Sequence, residues 1–202
     1  MTEEDAIIWC RERFGETKLA VLDRFRSLLL EENERQNLIS PSSRDTIWNR
    51  HLVDSAQLLH HSTARPQTWF DIGSGPGLPG LVVAILSGVY VTLVEPRARR
   101  VAFLESSAAK LGLTNVTVVK SKAEGAVGRA DIVTARAVAD IPALVTMTGH
   151  LRHSRTRLIL PRGKNGGSEV KALPAKWRDM FHVEQSVTDP ASVIVIADGV
   201  EA

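Results

Sequence analysis

The sequence predicts an α/β fold in which a mainly parallel, Rossmann-like sheet is covered by helices, ends in an antiparallel hairpin and is preceded by a helical appendage. Three observations predict it. The apolar segment Trp69-Phe70-Asp71-Ile72 runs into a turn carrying Gly73, Gly75, Gly77 and Gly80, and Leu81 to Leu86 then continue as an unbroken apolar run. Strand, glycine turn and helix open a βαβ unit. Downstream, short β-branched runs alternate with amphipathic stretches, the pattern of parallel strands joined by crossover helices. Upstream, Leu19, Leu22, Phe25 and Leu29 recur one helical turn apart. The chain therefore divides into an N-terminal helical appendage over 1–65 and one compact Rossmann-like unit over 66–202.

Within the appendage, Ala6, Ile7, Ile8 and Cys10 begin a short helix that Gly15 can end, and a longer one follows up to Asn33-Glu34-Arg35-Gln36. Pro41 blocks simple continuation, and Ser42 with Asp45 forms a capping box for a third helix carrying Ile47, Trp48, Leu52, Val53, Leu58 and Leu59. After the glycine turn come strand Val89–Val94, helix Ala98–Leu111 capped by Gly112, strand Val116–Val119, strand Ala130–Thr134, a short helix from Leu144 to Thr148 and strand Arg157–Leu160. Pro161 to Gly167 reads as a loop too glycine-rich to be rigid. Phe181–Ser186 and Ser192–Ala197, joined through Asp189-Pro190, read as the closing hairpin.

Composition bounds the function. A hydrophobic content of 44% and a charged content of 24% over 202 residues are those of a soluble globular protein. No apolar run approaches a membrane span and the acidic start, Met1 to Asp5, is unlike a signal peptide, so no membrane contact and a cytoplasmic location are expected. Cys10 stands alone, which excludes a disulfide framework and a cysteine metal cluster. His51, His60 and His61 have no metal-binding spacing, and no metal is expected. The net charge of +2 hides a division: residues 150–178 hold 8 Lys/Arg against Glu169 alone, and residues 97–122 hold 6 against Glu105 alone. Localised positive charge attracts a polyanion.

The glycine turn admits two cofactors. Gly75-Pro-Gly77-Leu-Pro-Gly80 fits the dinucleotide pattern GxGxxG, and Glu95 at the end of the next strand can accept ribose hydroxyls in either case. Asp71, two residues ahead of the first glycine, makes the string D-x-G-x-G-x-G, which resembles motif I of class I S-adenosylmethionine-dependent methyltransferases.

Further strings extend the resemblance to one family, the bacterial small-subunit ribosomal RNA guanine-N7 methyltransferases, also called glucose-inhibited division protein B. They are Asn37-Leu38 with Ser40, Arg50-His51 with Asp54-Ser55, Asp71 to Gly80, Glu95, Arg100 with Phe103-Leu104, Ala123-Glu124 and Arg136-Ala137. The resemblance implies an S-adenosyl-L-methionine pocket formed by Gly73, Gly75, Leu78, Ala123, Glu124 and Arg136, with Glu95 on the ribose. It also implies a 16S ribosomal RNA substrate, free or in a ribosomal particle. Where the family usually has Lys-Gly after the fifth strand, this chain has Arg162-Gly163, a planar fork in place of a compact ammonium.

Guanine N7 has a free lone pair and no proton to lose, so orientation suffices and no catalytic base is assigned. C5 methylation would need a cysteine nucleophile, and Cys10 lies far from the cofactor motif. Exocyclic-amine methylation would bring an Asn/Asp-Pro-Pro-aromatic string where Thr134-Ala135-Arg136-Ala137 stands. Arg50, His51, Arg162 and Lys164 are the candidate RNA contacts, and a monomer is expected. Two rivals stay open: a NAD-dependent oxidoreductase, from the literal GxGxxG, and a non-catalytic RNA-binding protein, from the basic segments.

Overall fold

In the computed structural model, which describes residues 1–63 and 65–200, the chain opens with a long helix, α1 (Glu3–Gln36). Thr2 and Asp5 cap it reciprocally, at 3.1 and 3.0 Å. Gly15 interrupts it with φ 78° and ψ 167°, a backbone open to a residue without a Cβ. The two expected helices are thus present, joined at a kink.

After a 3₁₀ turn, Pro41–Ser43, a helical run (α2) passes through Trp48–Val53, Asp54–Ala56 and Gln57–His61; its first part is a π-helix. The Ser42/Asp45 capping box does not form. Pro41 folds Ser42 into the 3₁₀ turn, and the helix starts too late for either residue to reach its amides. Glu3 of α1 caps it instead, accepting the amides of Trp48 at 2.9 Å and Asn49 at 2.7 Å.

The sheet contains β1 (Thr68–Ile72), β2 (Tyr90–Val94), β3 (Val116–Val119), β4 (Ile132–Ala135), β5 (Arg157–Arg162), β6 (Phe181–Gln185) and β7 (Val193–Asp198), in the order β3-β2-β1-β4-β5-β7-β6. The first five strands run parallel; β7 is antiparallel to both β5 and β6. This is the expected sheet with its terminal hairpin. The strand order reverses at β1, which places a ligand crevice at the carboxyl ends of β1, β2 and β4.

The helices that follow are α3 (Gly80–Leu86), α4 (Ala98–Leu111), α5 (Ile141–Met147), α6 (Gly166–Lys171) and α7 (Ala175–Arg178). Helix α5 starts earlier than its apolar pattern indicates because Asp140 caps it, accepting the Ala143 amide at 2.8 Å. The stretch 161–167 is not the loose loop expected: β5 continues through Arg162 and α6 begins at Gly166.

Side-chain alternation divides the core between the two faces of the sheet. Trp69 and Leu93 face α1, α2, α3 and α4, where Leu22, Phe25, Leu29, Leu52 and Leu104 are fully buried. Phe70 and Ile72 face α5 and α6. The apolar stripe of α1 therefore packs on the same face of the sheet as the crossover helices. Among the described residues no helix is long and apolar enough to cross a membrane.

Candidate active site

The glycine turn is held by backbone and by two carboxylates, Glu95 and Asp71. The amides of Gly73 and Ser74 donate to the Val94 carbonyl at 2.8 and 3.1 Å, which ties the end of β1 to the end of β2. Gly73 has φ +67°, and a Cβ there would come within 2.6 Å of Val138 Cγ2, so a side chain is excluded by conformation and by space. Glu95, only 2% exposed, accepts the Gly75 amide on Oε2 and the Arg97 amide on Oε1, each at 2.9 Å. Arg100 approaches the same carboxylate at 3.9 Å. Each carboxylate oxygen has a second lone pair, so Glu95 can still accept hydroxyls from a ligand.

Asp71 does something different from what its place beside the glycines suggests. It is fully buried, accepting the Thr134 hydroxyl at 2.8 Å and the Gly80 amide at 3.1 Å. Burial pushes its carboxyl up to about 6, against the pull of its hydrogen bonds. Its charge sits at the first amide of α3, the position a dinucleotide pyrophosphate occupies in the GxGxxG arrangement. The helix terminus is capped from within by an acid, and the oxidoreductase reading loses its anion site.

Above the turn lies a cavity of about 790 Å³, a size suited to a small-molecule ligand. Gly73, Gly75, Leu78, Glu95, Ala123, Glu124 and Arg136 all line it. They come from four strand ends and meet at one crevice. Arg50 and His51 line it as well, brought there by the π-helical part of α2.

Arg162 and Lys164 are not among the lining residues. The Arg162 side chain is only 8% exposed and lies 3.5 Å from Glu169, so it is turned inward. Lys164 is exposed. The basic segment 150–178 is depleted in the same way. Arg152 is buried against the carbonyls of Val145 and Val200, Arg157 grips Asp198 at 2.7 Å, and Arg178 donates to the Leu173 carbonyl at 3.0 Å. Much of its charge holds the fold together. Around the cavity, exposed Arg50, Arg97 and Lys122 remain.

The wall opposite the glycine turn is made of side chains. Arg136, at the end of β4, lies 3.4 Å from Asp54 in α2. Asp54 also accepts from Gln57 at 3.0 Å and from the Thr188 hydroxyl at 3.2 Å. His51 Nε2 lies 2.9 Å from the Ser43 hydroxyl. Burial, with Arg136 and Arg50 nearby, pushes this histidine down to about 4, so it is neutral near pH 7. Thr188 and Asp189, from the β6–β7 connection, complete the wall. Sequence reasoning missed them, because that connection carries no motif and only its antiparallel return brings it to the crevice.

The chain is also similar to known proteins. A profile of the family described as GidB, rRNA small subunit methyltransferase G, matches residues 18–192. The chain is 43% identical over 195 residues to the ribosomal RNA small subunit methyltransferase G of Sphingopyxis alaskensis, covering 95% of this chain and 84% of that one. It is 40% identical over 208 residues to the protein of the same name from Zymomonas mobilis subsp. mobilis, covering 98% and 94%. Among solved structures, the ribosomal protein L11 methylase of Lactobacillus delbrueckii subsp. bulgaricus has a TM-score of 0.60 at 16% identity, covering 78% of this chain and 80% of that one. At that identity the likeness concerns the fold alone.

Proposed function

This chain belongs to the rRNA small subunit methyltransferase G family, and from that premise we propose that it methylates N7 of a guanine in 16S ribosomal RNA, using S-adenosyl-L-methionine. One observation carries the reading: the glycine turn with Glu95, and the Arg50–Asp54 segment of α2, line a single cavity at the carboxyl ends of the strands. Bound there, S-adenosylmethionine supplies an electrophilic methyl group. Glu95 holds the ribose hydroxyls with the lone pairs its two amide contacts leave open. Gly73 and Gly75 let the main chain approach the ligand, and Leu78 gives it an apolar surface.

Nothing in the wall acts as a base toward the substrate, and N7 needs none. The residues instead position two partners and exclude water from between them. A cysteine nucleophile is absent from the site: Cys10 is buried in α1, and burial pushes its thiol up to about 12. Exposed Arg50, Arg97 and Lys122 at the rim, with Lys164 further out, are assigned to RNA phosphates. The enzyme is read as a monomer acting in the cytoplasm on naked RNA or a ribosomal particle.

Calorimetric titration tests the site: S-adenosylhomocysteine is expected to bind one to one and NAD not to bind. Nucleoside mass spectrometry of small-subunit RNA incubated with the protein and S-adenosylmethionine should give N7-methylguanosine. Formation of another methylated nucleoside instead would refute the N7 assignment.

A further inference from the structure

Reactivity at N7 does not by itself select guanine, because adenine has the same lone pair at the same place. The choice has to be made at another edge of the base. On its Watson–Crick edge guanine presents two adjacent donors, N1–H and the N2 amino group, where adenine presents the N1 acceptor. A carboxylate takes both donors and repels the acceptor.

The cavity is lined by four acids, Asp54, Glu95, Glu124 and Asp189. Glu95 accepts the Gly75 and Arg97 amides, and its remaining lone pairs are assigned above to the ribose hydroxyls. Asp189 is drawn into its own connection by the Ala191 amide at 2.9 Å and the Ser192 hydroxyl at 3.1 Å, with Arg50 at 3.7 Å. Glu124 is exposed to solvent, where a contact is weak. Asp54 is different. Its Oδ1 is fixed by Gln57 at 3.0 Å and Thr188 at 3.2 Å, while among the described residues its Oδ2 has only the Arg136 contact at 3.4 Å. Gln57, 1% exposed, is itself pinned: its Nε2 donates to Ser186 at 3.1 Å and its Oε1 accepts the Val187 amide at 2.9 Å. A network reaching from α2 to the β6–β7 connection therefore aims one carboxylate whose second oxygen has accepting capacity to spare.

We propose that Asp54 selects the base, its Oδ2 accepting an N2–H of the target guanine, with N1–H rather than a lone pair turned toward the same carboxylate. The inference rests on the guanine-N7 reading above. Its energetics favour catalysis as well as selection. Methyl transfer forms the N7–C bond, breaks the donor's S–C bond and releases no proton, so positive charge moves onto the guanine ring. The N2 amino group becomes a stronger donor as the methyl group arrives, and its contact with the carboxylate tightens toward the transition state. Burial raises the Asp54 carboxyl above its ordinary value, and Arg136 with the Thr188 hydroxyl opposes part of that rise. Adenine in the same position would set its N1 lone pair against the charge.

The test uses small-subunit RNA in which the nucleotide methylated by the unaltered enzyme carries guanosine or inosine. Inosine keeps N7 and N1–H but lacks the N2 amino group. The unaltered enzyme should lose about tenfold or more in kcat/KM on inosine, the size expected for a charge-assisted hydrogen bond. Asp54→Asn should lose about a hundredfold on guanosine, show less than a threefold preference for guanosine over inosine, and bind S-adenosylhomocysteine within twofold of the unaltered enzyme. A full inosine penalty retained by Asp54→Asn overturns the proposal. So does a tenfold loss of S-adenosylhomocysteine affinity in that variant, which would make Asp54 a positioning residue for Arg136. If Asp54→Asn fails to fold, the unaltered enzyme still decides: equal rates on guanosine and inosine reject the contact. An unaltered enzyme that binds S-adenosylhomocysteine yet makes no N7-methylguanosine overturns the functional reading, and this proposal falls with it.

Discussion

The two walls of the cavity are built by opposite means. At the ends of β1 and β2 the wall is main chain, with glycine amides on the Val94 carbonyl and on Glu95. At the ends of β4 and α2 it is side chain, with Asp54, Gln57, Thr188 and Arg136 in one network. A main-chain wall presents the same surface whatever the surrounding side chains, which suits a cofactor common to many enzymes. A side-chain wall can be changed one residue at a time, which suits a substrate particular to one. The division of labour follows from construction.

Removing the carboxylate that organises the main-chain wall should have the largest effect. Glu95→Ala leaves the Gly75 and Arg97 amides without acceptors and should destabilise the fold by about 2–6 kcal/mol, at roughly 1–3 kcal/mol per unsatisfied group. S-adenosylhomocysteine affinity should fall more than tenfold. Denaturant titration and calorimetry measure the two separately, and unchanged stability would mean the turn holds itself without Glu95.

A smaller effect is expected from Gln57→Leu, which removes the buried support of Asp54 on the other wall. Ser186 and Val187 lose their partner, for roughly 1–3 kcal/mol of stability. Activity on RNA should fall about tenfold, with S-adenosylhomocysteine affinity unchanged within twofold. Parallel loss of cofactor affinity would show that the walls are not independent.

The finest difference is in acid. His51 is pushed down to about 4 in the folded chain, against roughly 6.5 unfolded. Between those values the unfolded chain binds more protons, so this contribution to stability is complete above about pH 6.5 and is lost as pH falls toward 4. Asp71, buried beneath the main-chain wall, is pushed up to about 6. There the folded chain binds more protons, so its burden is greatest above pH 6 and eases as pH falls. The walls respond to acid with opposite signs. His51→Gln should flatten the decline in stability between pH 6.5 and 4, by on the order of 2 kcal/mol across the window. Denaturation at a series of pH values measures it, and an unaltered slope would place the sensitive group elsewhere.

This contrast also governs what could be read from residues alone. The turn from Gly73 to Gly80 and Glu95 were legible because glycine spacing and a strand-terminal acid are local signals. The parallel sheet followed from alternation, and the closing hairpin from two β-branched runs around Asp189-Pro190. The network beneath Asp54 was not legible: Gln57 meets Ser186 and Val187 across 129 and 130 residues of chain, and no periodicity records such a meeting. Charge misled for a related reason. Arg152, Arg157 and Arg162 look in sequence like a basic surface, but a guanidinium on a long stem folds inward wherever a carbonyl or carboxylate awaits it. The Ser42/Asp45 cap does not form because the helix starts only after Ile47, and Glu3, distant in sequence, takes its first amides.

The reach of that network has a consequence in time. On a growing chain, Gly75 and Glu95 are both available once about half the polypeptide exists, and the first crossover unit can close around them. Asp54 must wait for Thr188, which lies 134 residues further along, and loops of that span close late because their entropy has to be met first. The nascent chain can therefore shape its main-chain wall well before the side-chain wall facing it is complete.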